Sequence, residues 1–122
     1  MEVAVSVPSR SRRGTSPIAY TVIVYTEIVP GKIEGFEWDA ANVGHILRHN
    51  VTPVEVEEVE GRPYAIIPAK AIEGENRWKL FGKTASGRYL VVVFTVRRRL
   101  FRAVTAYEMN ATDRRNYAPQ ID

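Results

Sequence analysis

The apolar positions of this chain change their spacing along its length, and the changes divide it into elements. Residues 18–29, IAYTVIVYTEIV, are β-branched and aromatic with partial alternation, which predicts a strand stopped by Pro30-Gly31. A helix is expected to start near Asp39, which can cap the following turn, and it places Val43, Ile46 and Leu47 on one face. Asn50 suits a left-handed stop. Thr52-Pro53-Val54-Glu55 combines an N-cap hydroxyl, proline at the first helical position and a capping-box glutamate, so a second short helix should run to about Glu60.

After Gly61 the period falls to two. Strands are expected over 64–67, 77–83, 88–96 and about 99–107, with Ser86-Gly87 as the turn between the second and third. The connection around Arg97 and Arg98 lacks a glycine. Strands joined this closely form an antiparallel meander, because a parallel crossover needs a dozen or more connecting residues. Asn110 can then cap a C-terminal helix carrying Arg114, Arg115 and Tyr117. The expected order is β-α-α-β-β-β-β-α, an α+β domain. Residues 1–16, rich in Ser, Arg, Gly and Pro, read as a flexible arm.

At 122 residues there is room for one core. Net charge is +3, yet residues 1–60 hold 5 basic and 9 acidic side chains while 61–122 hold 12 and 5, so the strand-rich half is the cationic one. Its cations are interleaved with aromatics, as a polyanion with stackable bases could use. The four glutamates of the second helix read as a solvated acidic face. The absence of cysteine excludes disulfides, a zinc ribbon and a thiol nucleophile. The longest apolar runs, such as 90–94, fall far short of the roughly 18 residues of a membrane-spanning helix. No secretory signal pattern is evident, and a cytoplasmic protein is expected.

Metal chemistry has one candidate. His45 and His49 stand four apart on a helix, but Ile46, Leu47 and Arg48 between them leave out the glutamate base of a metallopeptidase, so a helix-end role for His49 is simpler. No phosphate loop, nucleophile elbow or dinucleotide fingerprint occurs. What fits the inventory is RNA cleavage by the substrate's own 2′-hydroxyl, which asks for cations at a phosphate and for proton donors and acceptors. Alternation puts Arg77, Lys79 and Lys83 on one face of their strand and Trp78 and Leu80 on the other. Val91, Val93 and the apolar side of the first helix are expected in the core.

The runs GFEWDAANVGHILRHNVTPVEVEEV, GENRWKLFGKTASGRYLVVVFT and FRAVTAYEMNATDRRNY, over about residues 32–117, resemble the BrnT family of type II toxin-antitoxin toxins. The elements recur in order: Trp38-Asp39, Arg48-His49, Glu75, Arg77, Gly82, Phe94-Thr95, Arg102, and Arg114-Arg115 with Tyr117. The resemblance implies a RelE-like fold, a small antiparallel sheet with two N-terminal helices and a C-terminal helix. It divides the chain into an arm plus possible extra strand over 1–31, a toxin domain over 32–118 and a tail over 119–122. It further implies a metal-independent endoribonuclease without cofactor that inhibits translation and growth. A BrnA-like antitoxin would be its partner and would be the reader of operator DNA; no membrane is involved.

Three features depart from that pattern. Thr105-Ala106-Tyr107 stands where many members have Ser-Ala-Arg, residues 1–31 are additional, and Asn50 replaces a glycine. Arg77 and Arg102 are the candidates for phosphate stabilisation, since a guanidinium binds phosphate bidentately; ion pairing with Glu75 or Glu108 is the structural alternative. His49 is the candidate acid or base, and Tyr107 a candidate proton donor or stacking group. Arg48, Lys79, Lys83, Arg88, Arg114 and Arg115 are candidate RNA or antitoxin contacts. A RelE-like module that binds antitoxin or RNA without cutting is the competing reading, favoured by the missing arginine. A DNA-binding regulator ranks last, for want of a helix-turn-helix signature.

Overall fold

The computed structural model describes residues 4–6 and 33–122. The strand expected over 18–29 lies outside the described residues, as does the arm except for Ala4–Ser6. The described elements are β1 (Ala4–Ser6), β2 (Gly35–Phe36), α1 (Ala40–Leu47), α2 (Pro53–Glu60), β3 (Tyr64–Ile72), β4 (Glu75–Lys83), β5 (Tyr89–Arg97), β6 (Leu100–Glu108) and α3 (Ala111–Ile121). The fold is α+β, with the two helices, the four-stranded meander and the last helix in the expected order.

Among the described residues the sheet runs β1-β3-β4-β5-β6-β2. Its pairings are antiparallel except β2 with β6, where Gly35 and Phe36 lie parallel to Leu100 and Phe101. A two-residue strand carries no periodicity, so β2 is invisible to pattern reading. β1 pairs with Tyr64–Ile66 of β3, and the outer edge of β3 is then interrupted by Pro68, which has no amide to donate. Proline there blunts an edge that could otherwise recruit another strand.

All three helices begin at the caps the sequence indicates. Asp39 accepts from the Asn42 amide and Asn42 returns the bond to the Asp39 amide, at 3.1 and 2.8 Å. Asn42 is buried, and its side-chain amide also donates to the Glu37 and Ala103 carbonyls, sealing part of the β6 edge. Thr52 and Glu55 form the capping box of α2, and the Asn110 side chain caps α3. Asn50 has φ 60°, the left-handed stop that lets the chain turn from α1 into α2. Gly82 is required by close packing: a Cβ there would lie 3.1 Å from the Cβ of Val59, where α2 crosses β4.

Two apolar layers result. Ile46 and the Val51, Val56 and Val59 side of the α1–α2 pair cover Ile66, Trp78, Leu80, Val92, Phe94 and Phe101. Phe94 and Phe101 stack at 4.2 Å, and Trp78 lies against Phe94 at 5.7 Å. Among the described residues the opposite face is covered only in part, by α3, where Ile121 and Tyr117 pack on Ala65, Phe81 and Val91. The Phe81 and Tyr117 rings stack at 3.9 Å.

Three expectations are modified. Of the apolar residues on α1 only Ile46 is fully buried, and Leu47 is 48% exposed. Helix α3 runs on through Pro119, because Ile121 anchors its last turn in the core. The glutamates of α2 are not simply solvated: Glu55 binds Arg88, Glu57 accepts from Trp38 Nε1 at 2.9 Å, and Glu58 accepts from the Ala85 amide.

Candidate functional site: the open face of the sheet

Strand register sorts the side chains on the α3 face into rows. Tyr107, Val91, Phe81 and Ala65 form the row beneath α3. The next row holds Thr105, Val93, Lys79 and Ile67, and the one beyond it Arg102, Thr95, Arg77 and Ala69. Rows on one face are spaced by about 7 Å, and neighbouring strands by about 4.8 Å. The two outer rows are not covered by α3. A bulge in β6, where the register shifts opposite Val93 and Phe94, keeps both Arg102 and Thr105 on this face.

The cations of this tray differ in how they are satisfied. Arg102, with a side chain only 13% exposed, binds Asp39 at 2.9 Å and has Glu37 at 3.7 Å. Its carboxylate partners are therefore the N-cap of α1 and its approach, not Glu108. The Arg102 hydrogen bond, followed by that of the Asn42 amide, holds the Asp39 carboxyl below the usual carboxylate range. Glu75 lies between Arg97 at 2.9 Å and Arg77 at 3.4 Å, and Arg97 above all holds its pKa down. Among the described residues Arg77 is thus held by one long contact, and its buried Nε has no hydrogen-bond partner. Lys79 has no ion pair among the described residues.

At the α3 side of the tray stand the groups that can move protons. Tyr107 is half-buried, and burial first, then the Asp113 charge, pushes its phenol above the ordinary tyrosine value. The His49 ring lies edge-on to Tyr107 at 6.2 Å and stacked against His45 at 6.3 Å. His49 sits just after α1, which Asp39 and Arg102 fix at its other end. Among the described residues no cluster of three or more His, Cys, Asp or Glu is arranged to hold a metal ion.

The structure thus brings Arg77, Lys79, Arg102, Tyr107 and His49 to one face and its rim, and leaves other candidates elsewhere. Arg88 lies on the helix-packed side, gripped by Glu55 at 2.7 Å, Glu108 at 3.0 Å and the Asn50 carbonyl at 2.9 Å. Lys83 pairs with Asp122 at 2.9 Å, in a group around Tyr89 on the far side of the Phe81 row. Arg114 covers the Tyr89 ring at 4.5 Å. Arg48 caps α1 and Arg115 lies on α3, both exposed.

Residues that pattern reading passed over complete the tray. Val93, expected in the core, is only partly covered and forms its floor, and Thr105 closes one end of its row. Alternation from Lys79 would have found Val93, but the β6 bulge hides Thr105. The carboxylates Glu37 and Asp39 belong to a segment without strand periodicity.

This is a small α+β domain whose described residues leave an arginine- and lysine-bearing sheet face partly uncovered, rimmed by histidine and tyrosine. Residues 38–113 match the family described as "Ribonuclease toxin, BrnT, of type II toxin-antitoxin system", and the chain belongs to that family. Among curated proteins the sequence finds no match. Membership implies ribonuclease activity and an antitoxin partner. Among the described residues no helix is long and apolar enough to cross a membrane.

Proposed function

We propose that this protein is an endoribonuclease toxin that cleaves RNA on the open sheet face by attack of the substrate's own 2′-hydroxyl. The observation that carries this reading is the pair of cations under-satisfied among the described residues, Arg77 with an orphaned Nε and Lys79 without an ion pair, on the same face of β4. The scissile phosphate sits over the Thr105–Val93–Lys79 row. Arg77 and Lys79 offset the charge that grows on its oxygens as phosphorus becomes five-coordinate.

His49 accepts the proton of the attacking 2′-hydroxyl. Tyr107, kept protonated by its raised pKa, donates to the departing 5′-oxygen. The 2′-oxygen forms the new bond to phosphorus, the bond to the 5′-oxygen breaks, and the products are a 2′,3′-cyclic phosphate and a 5′-hydroxyl. None of these steps requires a metal ion or cofactor. Arg102 is a positioning residue here: its bond to Asp39 fixes the start of α1 and so the placement of His49 at the other end. Arg48 and Arg115 are peripheral RNA or antitoxin contacts. Operator DNA is left to a BrnA-like antitoxin, since the described helices are short and α1, α2 and α3 all pack on the sheet.

End-group analysis of RNA cut by the purified chain in the presence of a chelator tests this. Cyclic phosphate ends are expected; 3′-hydroxyl ends, or cleavage abolished by the chelator, would contradict it. A second reading, a module that binds RNA or antitoxin without cutting, is favoured by the carboxylates already on Arg102 and Arg97 and by tyrosine at 107. Binding of RNA with no turnover would select it.

A further inference from the structure

The hairpin between β5 and β6 is closed by two arginines. Arg97 pairs with Leu100, leaving a two-residue loop in which Arg98 and Arg99 have φ 52° and 66°. Such loops favour Asn-Gly or Asp-Gly, because a residue with a Cβ is strained in the left-handed region. The β3–β4 hairpin of the same chain relieves half of this strain with glycine, using Glu73-Gly74 at φ 48° and 81°. Two consecutive non-glycine residues held there point to a compensating role.

Packing does not supply it, since the Arg98 and Arg99 side chains are 78% and 68% exposed. Ion pairing supplies little: Arg98 reaches Glu37 at 3.4 Å and Arg99 reaches Glu34 at 3.0 Å, solvent-screened pairs of the weakest class. Position is more informative. The β4–β5 ladder runs through Lys79–Val93 to Trp78–Phe94, and beyond it Arg97 meets Glu75 at 2.9 Å, so the open face leads from Lys79 past Arg77 toward this tip. Three consecutive arginines therefore stand at the end of the track that carries Arg77 and Lys79.

We infer that the Arg97–Arg99 tip is a docking point for the RNA phosphate backbone, holding the strand that flanks the scissile phosphate. The inference rests on the ribonuclease reading above. Planar guanidinium groups on a rigid two-residue turn present bidentate donors to successive phosphates, and because Arg98 and Arg99 are themselves 78% and 68% exposed, a phosphate can reach them beside their carboxylate partners. Phosphate binding of this kind carries affinity without sequence information.

The test replaces the tip with the pair its geometry prefers, Arg98→Asn with Arg99→Gly, in the full chain. Binding of a mixed-sequence 2′-O-methyl oligoribonucleotide, which lacks the nucleophile and stays intact, is followed over a salt series beside thermal unfolding. The double variant is expected to melt higher, because the turn is relieved, and to bind more weakly. The slope of log affinity against log salt should shrink by about 0.7 for each phosphate that the tip no longer neutralises. Arg98→Lys with Arg99→Lys should keep most of that slope. Affinity and slope equal to wild type in the Asn-Gly variant would overturn the inference while leaving the ribonuclease reading intact, even if the variant no longer bound an antitoxin. Wild-type protein that binds no RNA would overturn both.

Discussion

The two faces of the sheet are built from the same four strands, one residue out of step, and they solve opposite problems. On the helix-packed face Trp78, Leu80, Val92, Phe94 and Phe101 meet Ile46, Val56 and Val59, and charge is kept to the margins, as with Arg88 between Glu55 and Glu108. On the other face α3 covers the Phe81–Val91 row, while Arg77, Lys79, Thr95 and Arg102 line what lies beyond it. Apolar packing is concentrated on one side and cations on the other. The difference shows how a small domain can place cations on a sheet without putting them in its main core: the α1–α2 pair takes the apolar face, and α3 covers only one row of the other among the described residues.

Mutations on the two faces should have opposite consequences. Phe94→Ala, on the packed face, is expected to cost about 3–5 kcal/mol in chemical denaturation, a large fraction of the stability of a domain of this size. Arg77→Ala and Lys79→Ala, on the open face, should change stability by about 0.5 kcal/mol or less. Each should nevertheless lower RNA cleavage by about 10²-fold or more in single-turnover assays. A large stability loss in either would mean that the open face is structural.

Tyr107→Phe removes the proton donor and keeps the ring, so cleavage should fall by about 10²-fold or more with the fold intact. In wild type the raised phenol pKa places the alkaline limb of the rate profile above the usual tyrosine range, and that limb should vanish in the variant. Asp39→Asn keeps an N-cap side chain but removes the charge paired with Arg102. Because the Asp39 pKa is depressed by folding, the pair stabilises above the unfolded-state pKa and is lost as pH falls through the folded value. Melting curves of wild type and variant should therefore differ at neutral pH and converge in acid.

The smallest effect is expected at Glu60, whose carboxyl is pushed up by burial and by the nearby Glu57 charge. A raised carboxylate opposes folding while ionised, so Glu60→Gln should stabilise slightly at neutral pH. The gain should fade as pH drops below the carboxylate range.

Much of this architecture was legible because local chemistry and tertiary packing agree. Asp39, Thr52 and Asn110 cap helices in the sequence as they do in space, and alternation around Lys79 assigns the faces of β4 correctly. What escaped depends on register between distant segments. The partners of Arg102 come from residues more than sixty positions earlier, because the parallel β2 strand lays that segment beside β6. The β6 bulge adds Thr105 to the open face, and the fold carries Arg88, a candidate RNA-binding residue in the sequence, to the packed side. The proximity of His49 to Tyr107 was equally hidden, since it follows from α1 lying along β6.

The most direct test of RNA binding to the open face is a titration of isotope-labelled protein with uncleavable 2′-O-methyl RNA, read from backbone amide shifts. Perturbations are expected at Arg77, Lys79, Val93, Thr105 and Tyr107, with the α1–α2 surface around Glu57 and Glu58 unmoved. Shifts confined to that helical surface would contradict an open-face site.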